Sequence, residues 1–110
     1  MSSENRRNHR VIGYAKTLHL AECVPGYIRD ISSTGCHVSF TSEVRAVPGD
    51  LMELRVMPAH DPSIASFRIT LRIRWVKADA IWFSVGGQVE ALSNEKDKES
   101  FAQLLRYYES

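Results

Sequence analysis

Phe67-Arg68-Ile69-Thr70-Leu71-Arg72-Ile73-Arg74-Trp75 carries the strongest periodicity in the chain. Apolar Phe67, Ile69, Leu71, Ile73 and Trp75 alternate with Arg68, Thr70, Arg72 and Arg74. Successive side chains of a strand point to opposite faces, so this pattern buries one face and turns the other outward. The stretch reads as a strand with Trp75 on the apolar face. Its outer face carries three arginines spaced by two, and either faces solvent or borders a pocket.

Working outward, residues 80–85 continue as a strand with Trp82 and Phe83, and Gly86-Gly87 bends or ends it before residues 88–92. The tail changes period. Ser93 or Asn94 can cap a helix, Glu95 and Asp97 fall in its first turn, and Phe101, Leu104, Leu105 and Tyr108 recur at helical spacing. Upstream, residues 58–66 with Pro62 form a loop, residues 51–57 another strand, and Pro48-Gly49-Asp50 a turn. Cys36, Val38 and Phe40 alternate with His37, Ser39 and Thr41, which predicts a strand with one buried face. Pro25-Gly26 marks a break before the strand-like residues 27–31. Residues 11–20 show an imperfect period of two through Ile12, Tyr14, Lys16, Leu18 and Leu20.

Six or so short strands separated by turns, with one terminal helix, favour an all-β fold: a six-stranded antiparallel barrel, whose closure hides the strand edges. The expected organisation is a flexible basic arm over residues 1–10, a barrel over 11–92 and an amphipathic helix over 93–110.

At 110 residues the chain supports one core, and 44% hydrophobic with 25% charged residues is an ordinary globular composition. Fourteen Lys plus Arg against thirteen Asp plus Glu give no global attraction for DNA or RNA, so any preference for anions is local. No apolar leader or membrane-length run is present, and cytoplasmic residence is the default expectation. Cys23 and Cys36 read as small hydrophobes rather than a disulfide framework.

The chemistry-bearing residues fall in two places. Arg6-Arg7-Asn8-His9-Arg10 brings three arginines within five residues, which repel one another unless an anion lies among them. Arginine forks match phosphate, stack on flat π systems and fit the O6 and N7 acceptors of guanine. Asp30-Ile31-Ser32-Ser33-Thr34-Gly35 joins two strand-like runs and gathers turn formers, with glycine free to take positive φ. Asp30 can accept from a guanine N1–H and amino group, and Ser32 can donate or accept beside it. The turn is either a self-capped hairpin or half of a binding site, and a donor-rich arm opposite it suits a guanine nucleotide.

Together Arg6-x-x-x-Arg10 and Asp30-x-Ser32-x-x-Gly35 resemble the paired signature of PilZ domains, the bacterial receptors for cyclic di-GMP. Arg74-Trp75-Val76 and the segment near Gly86 are also similar to the family, although Val89 stands where an aromatic residue is more usual. The resemblance covers about residues 6–92. It implies that Arg6, Arg10 and Arg7 contact phosphates and guanine faces, that Asp30 and Ser32 hold a guanine edge, and that Gly35 keeps the turn tight. It also implies ligand binding without catalysis, and signalling to a protein effector. The mechanism to expect is ordering of the arm on binding.

Other readings are weaker on the residues. His19, His37, Cys23 and Cys36 lack metal-ligand spacing, and neighbours Cys36 and His37 point to opposite faces. Asp30, Ser32 and His37 are the residue types of a nucleophilic site without evidence of a triad. A near-neutral chain offers no electrostatic track for single-stranded nucleic acid. The main alternative is a protein-interaction module that binds no nucleotide.

Overall fold

The computed structural model describes residues 15–58, 63–92 and 94–109. Among them six strands run β1 Lys16–His19, β2 Val24–Ile31, β3 Gly35–Phe40, β4 Leu51–Met57, β5 Phe67–Ala78 and β6 Phe83–Leu92, followed by the helix α1 Glu95–Glu109. The strands close into a barrel in the order β1-β2-β3-β6-β5-β4, with every pairing antiparallel. The all-β barrel with a C-terminal helix expected from the pattern is therefore the fold.

The core is built from inward positions of every strand. Ile28, Val38, Leu54, Val56 and Leu71 are fully buried, with Phe40, Phe67 and Ile69 beside them. Burying such a side chain is worth roughly 1.5–3 kcal/mol, so the barrel interior dominates stability. Helix α1 adds Phe101 and Leu104, with the Phe67 and Phe101 rings edge to face at 6.1 Å. Asn94 is the cap: its Oδ1 accepts from the Asp97 N–H at 2.9 Å. This satisfies one of the free amides of the first turn.

Five local expectations are corrected. Pro25-Gly26 does not break the chain but lies inside β2, paired with Leu18 and Thr17. A Cβ on Gly26 would meet the Ser39 carbonyl at 2.7 Å and the Phe40 ring at 2.8 Å, so the glycine serves close packing rather than a turn. In β1 the buried residues are Thr17 and His19, preceded by buried Ala15, not the apolar even positions read from the sequence. Residues 80–82 belong to a turn: Asp79 Oδ1 accepts from the amides of Ile81 and Trp82 at 2.9 and 2.8 Å. Beyond it β6 runs unbroken through Gly86-Gly87.

The fifth correction shapes the site. Ile73 pairs with Gly87 and Trp75 with Gly86, leaving Arg74 as an extra residue in a β-bulge. One inserted residue reverses the alternation of everything after it. Val76 takes the inward position, and Trp75, expected inside, stands on the outer wall at 42% exposure. A second bulge in β2 leaves Arg29 between Ile28 and Asp30, shifting the buried positions from Ile28 to Ile31.

Candidate functional site

Register places four residues in one row across β2, β3, β6 and β5: Asp30 opposite His37, His37 opposite Gly86, and Gly86 opposite Trp75. Gly86 makes the row possible. A Cβ there would lie 2.1 Å from the indole of Trp75, so only glycine lets that ring fold over the strand. Across it the His37 and Trp75 rings meet edge to face at 5.0 Å. The row floors a cavity of about 330 Å³ on the outer barrel wall, whose lining includes Asp30, Ser32, Gly35, Arg74 and Gly87.

The β2–β3 turn is self-capped. Ser32 Oγ accepts from the amides of Gly35 at 3.1 Å and Thr34 at 3.3 Å, and Ser32 N–H donates to the Gly35 carbonyl at 2.8 Å. Thr34 is tied to the next strand by its carbonyl, which accepts from Val89 N–H at 2.9 Å. Gly35 does not use the positive φ expected of it; among described glycines Gly49 alone has one. Its need is close approach, since a Cβ would sit 3.2 Å from the Gly87 carbonyl. Ser32 is thus both a turn-closing residue and a wall of the cavity.

The electrostatics are asymmetric. Arg74 Nη1 donates to Gln88 Oε1 at 3.1 Å and keeps its charge toward the cavity, whereas Arg72 is taken up by Glu90 at 3.2 Å and by the Gly49 carbonyl at 2.9 Å. Burial, and then Arg29, push the His37 imidazole below its ordinary pKa, with Asp30 opposing. His37 Nε2 is buried without a hydrogen-bond partner in the described structure. Burial and the Asp30 charge push the Cys36 thiol up to about 12, which keeps it protonated and unreactive.

Of the residues singled out from sequence, Asp30, Ser32 and Gly35 are brought together at this cavity. Arg6, Arg7 and Arg10 lie outside the described residues, as does the strand reading for residues 11–14. The chain enters the described structure beside the site: the Ala15 carbonyl accepts from Ile28 N–H at 2.9 Å, two residues from Asp30 on β2. Sequence reading missed His37 as a cavity wall and left Arg74 and Trp75 unassigned. The Gly86-Gly87 pair facing an Arg-Trp dipeptide was the available signal.

Among the described residues no three His, Cys, Asp or Glu side chains converge as metal ligands. No described helix is long and apolar enough to cross a membrane.

A closed antiparallel barrel of this strand order thus carries the acidic turn and the bulged strand on one wall. The family model for the PilZ domain matches residues 4–109, and the chain belongs to that family. PilZ domains are generally binding and adaptor domains for cyclic di-GMP. The match runs through α1, beyond the segment where the resemblance was read. No curated protein gives a match to the chain.

Proposed function

We propose that this chain is a receptor for cyclic di-GMP that closes its N-terminal arm over the ligand and presents the ordered surface to a protein effector. The observation that carries the reading is the wall formed by Asp30, His37, Gly86 and Trp75, with the chain entering at Ala15 on the flank of Asp30. Asp30 supplies the acceptor for a guanine edge. Arg74 adds a donor fork facing the same space, and the exposed indole of Trp75 offers a stacking surface.

Arg6, Arg7 and Arg10 complete the site from the arm, holding phosphates and guanine faces that the described wall leaves unclaimed. Closing a cationic segment over a dianion orders that segment, and the ordering is what a partner can sense.

Calorimetric titration tests this. Wild-type protein should bind cyclic di-GMP, and Asp30→Ala or Arg10→Ala should cost roughly 2–5 kcal/mol of affinity, because each leaves a charged partner unmatched. Affinity should fall with added salt, and the melting temperature should rise with ligand concentration. Near-normal affinity in either variant defeats the assignment. A second reading, an interaction module without nucleotide, draws on the engagement of Ser32 Oγ by its own turn. It gains the field if saturating ligand leaves the melting temperature unmoved.

A further inference from the structure

Next to the nucleotide cavity, sharing Trp75 and His37 as a partition, lies a second groove of about 380 Å³. Its walls are supplied by Arg29, Lys77, Asp79, Trp82 and Ser84. Arg29, the extra residue of the β2 bulge, has its guanidinium carbon 4.7 Å from the Trp82 ring centroid. The Tyr27 ring meets Trp82 edge-on at 6.0 Å. A cation braced this way loses less freedom when it pairs with an anion.

Among its described walls the groove holds two cations, Arg29 and Lys77, and one acid, Asp79. Lys77 is exposed, while Asp79 turns its carboxylate into the β5–β6 turn. The Trp82 amide, and then that of Ile81, hold that carboxyl below its ordinary pKa. The floor hydroxyls of Ser39 and Ser84 bond each other at 3.0 Å and ask for no ligand. Beside the cations stands uncovered apolar surface: Ile81 is 74% exposed and Trp75 42%. Because Arg29 covers a face of Trp82, that face is closed to a stacking base. Ile81 projects from the turn rather than lining the groove, which extends the contact surface over the barrel wall.

We propose that this groove docks an acidic segment of a partner protein carrying one bulky apolar side chain. Its carboxylates pair with Arg29 and Lys77, and the apolar side chain packs on Trp75, Trp82 and Ile81. Apolar anchors ringed by charge complementarity are the usual form of a peptide-sized interface. Trp75 is common to both sites, whereas Arg29, Lys77, Ile81 and Trp82 do not line the first cavity, so substitutions among these four separate the inference from the nucleotide reading.

The test pans a random-peptide phage library against the full chain, then measures synthetic copies of the recovered peptides by fluorescence anisotropy. The expected sequences place Asp or Glu beside Trp, Phe, Leu or Ile. Lys77→Glu and Ile81→Ser, both at exposed positions, should retain the wild-type melting temperature. Each should weaken these peptides about tenfold or more, with charge-assisted pairing as the reference scale for Lys77. Cyclic di-GMP titrated into the same variants should give wild-type affinity. No enrichment over an unrelated protein, a basic or uncharged consensus, or unchanged peptide binding by both variants overturns the proposal. So does joint loss of nucleotide and peptide in Lys77→Glu, which assigns the groove to the nucleotide. Failure of the wild type to bind cyclic di-GMP, with peptides still captured, strikes the nucleotide reading alone.

Discussion

Before its bulge, β5 sends Phe67, Ile69, Leu71 and Ile73 into the core and neutralises two outward arginines, Arg68 against Glu53 at 3.6 Å and Arg72 against Glu90 at 3.2 Å. After it the same strand holds Trp75 and Lys77 on the outer wall, and Arg74 within the bulge meets an uncharged glutamine. The composition barely changes across the boundary; the register does. One half of the strand holds the barrel together and the other lines the two cavities of the outer wall. A single inserted residue therefore separates core from wall within one continuous element.

The sharpest way to break this contrast is to compare truncations on the two sides. Leu71→Ala removes a fully buried side chain and should cost about 2–5 kcal/mol in urea unfolding, with ligand affinity kept in the folded fraction. Arg74→Ala should do the reverse: unchanged stability, and a loss of cyclic di-GMP affinity of roughly 1.5–3 kcal/mol by calorimetry. Equal effects of both on stability would erase the division.

Gly86→Ala comes next, because its Cβ lands on the Trp75 indole and must displace it. The expected result is a shifted tryptophan emission spectrum and weaker ligand binding, with a smaller loss of stability than Leu71→Ala. An unmoved spectrum would show that the indole does not rest on the strand.

Arg68→Ala should change stability by no more than about 1 kcal/mol, since its partner is exposed and screened by solvent. The smallest effect is on pH dependence. His37 titrates lower in the folded state than in the unfolded chain, so on acidification the unfolded chain takes up the proton first. Its contribution is therefore present above about pH 6.5 and lost as pH falls below that value. His37→Gln should flatten the melting temperature between neutral and mildly acidic pH, and an unchanged slope would exclude the imidazole.

The barrel was legible in the sequence because strand alternation is a local signal, strongest at residues 67–73 and 36–40, where one face is wholly buried. Asp30, Ser32 and Gly35 were legible because turn chemistry is written in residue type. The bulges were not. Arg74 and Arg29 look like ordinary outward residues, and their insertion depends on what the neighbouring strands present. Trp75 was accordingly read on the wrong face. In β1 the small and polar inward residues Thr17 and His19 hid the true phase. Pro25-Gly26 misled for a related reason: the glycine answers a neighbour from another strand, Phe40, which no short window contains.

Barrel closure carries one more consequence. β1 hydrogen-bonds to β4 as well as to β2 along Lys16–His19, so neither side of that strand is open to a foreign strand. Recruitment by backbone zippering is closed at this seam. There the proposed effector can engage side chains alone, and point substitutions at exposed positions should therefore be able to abolish its binding while the scaffold persists intact.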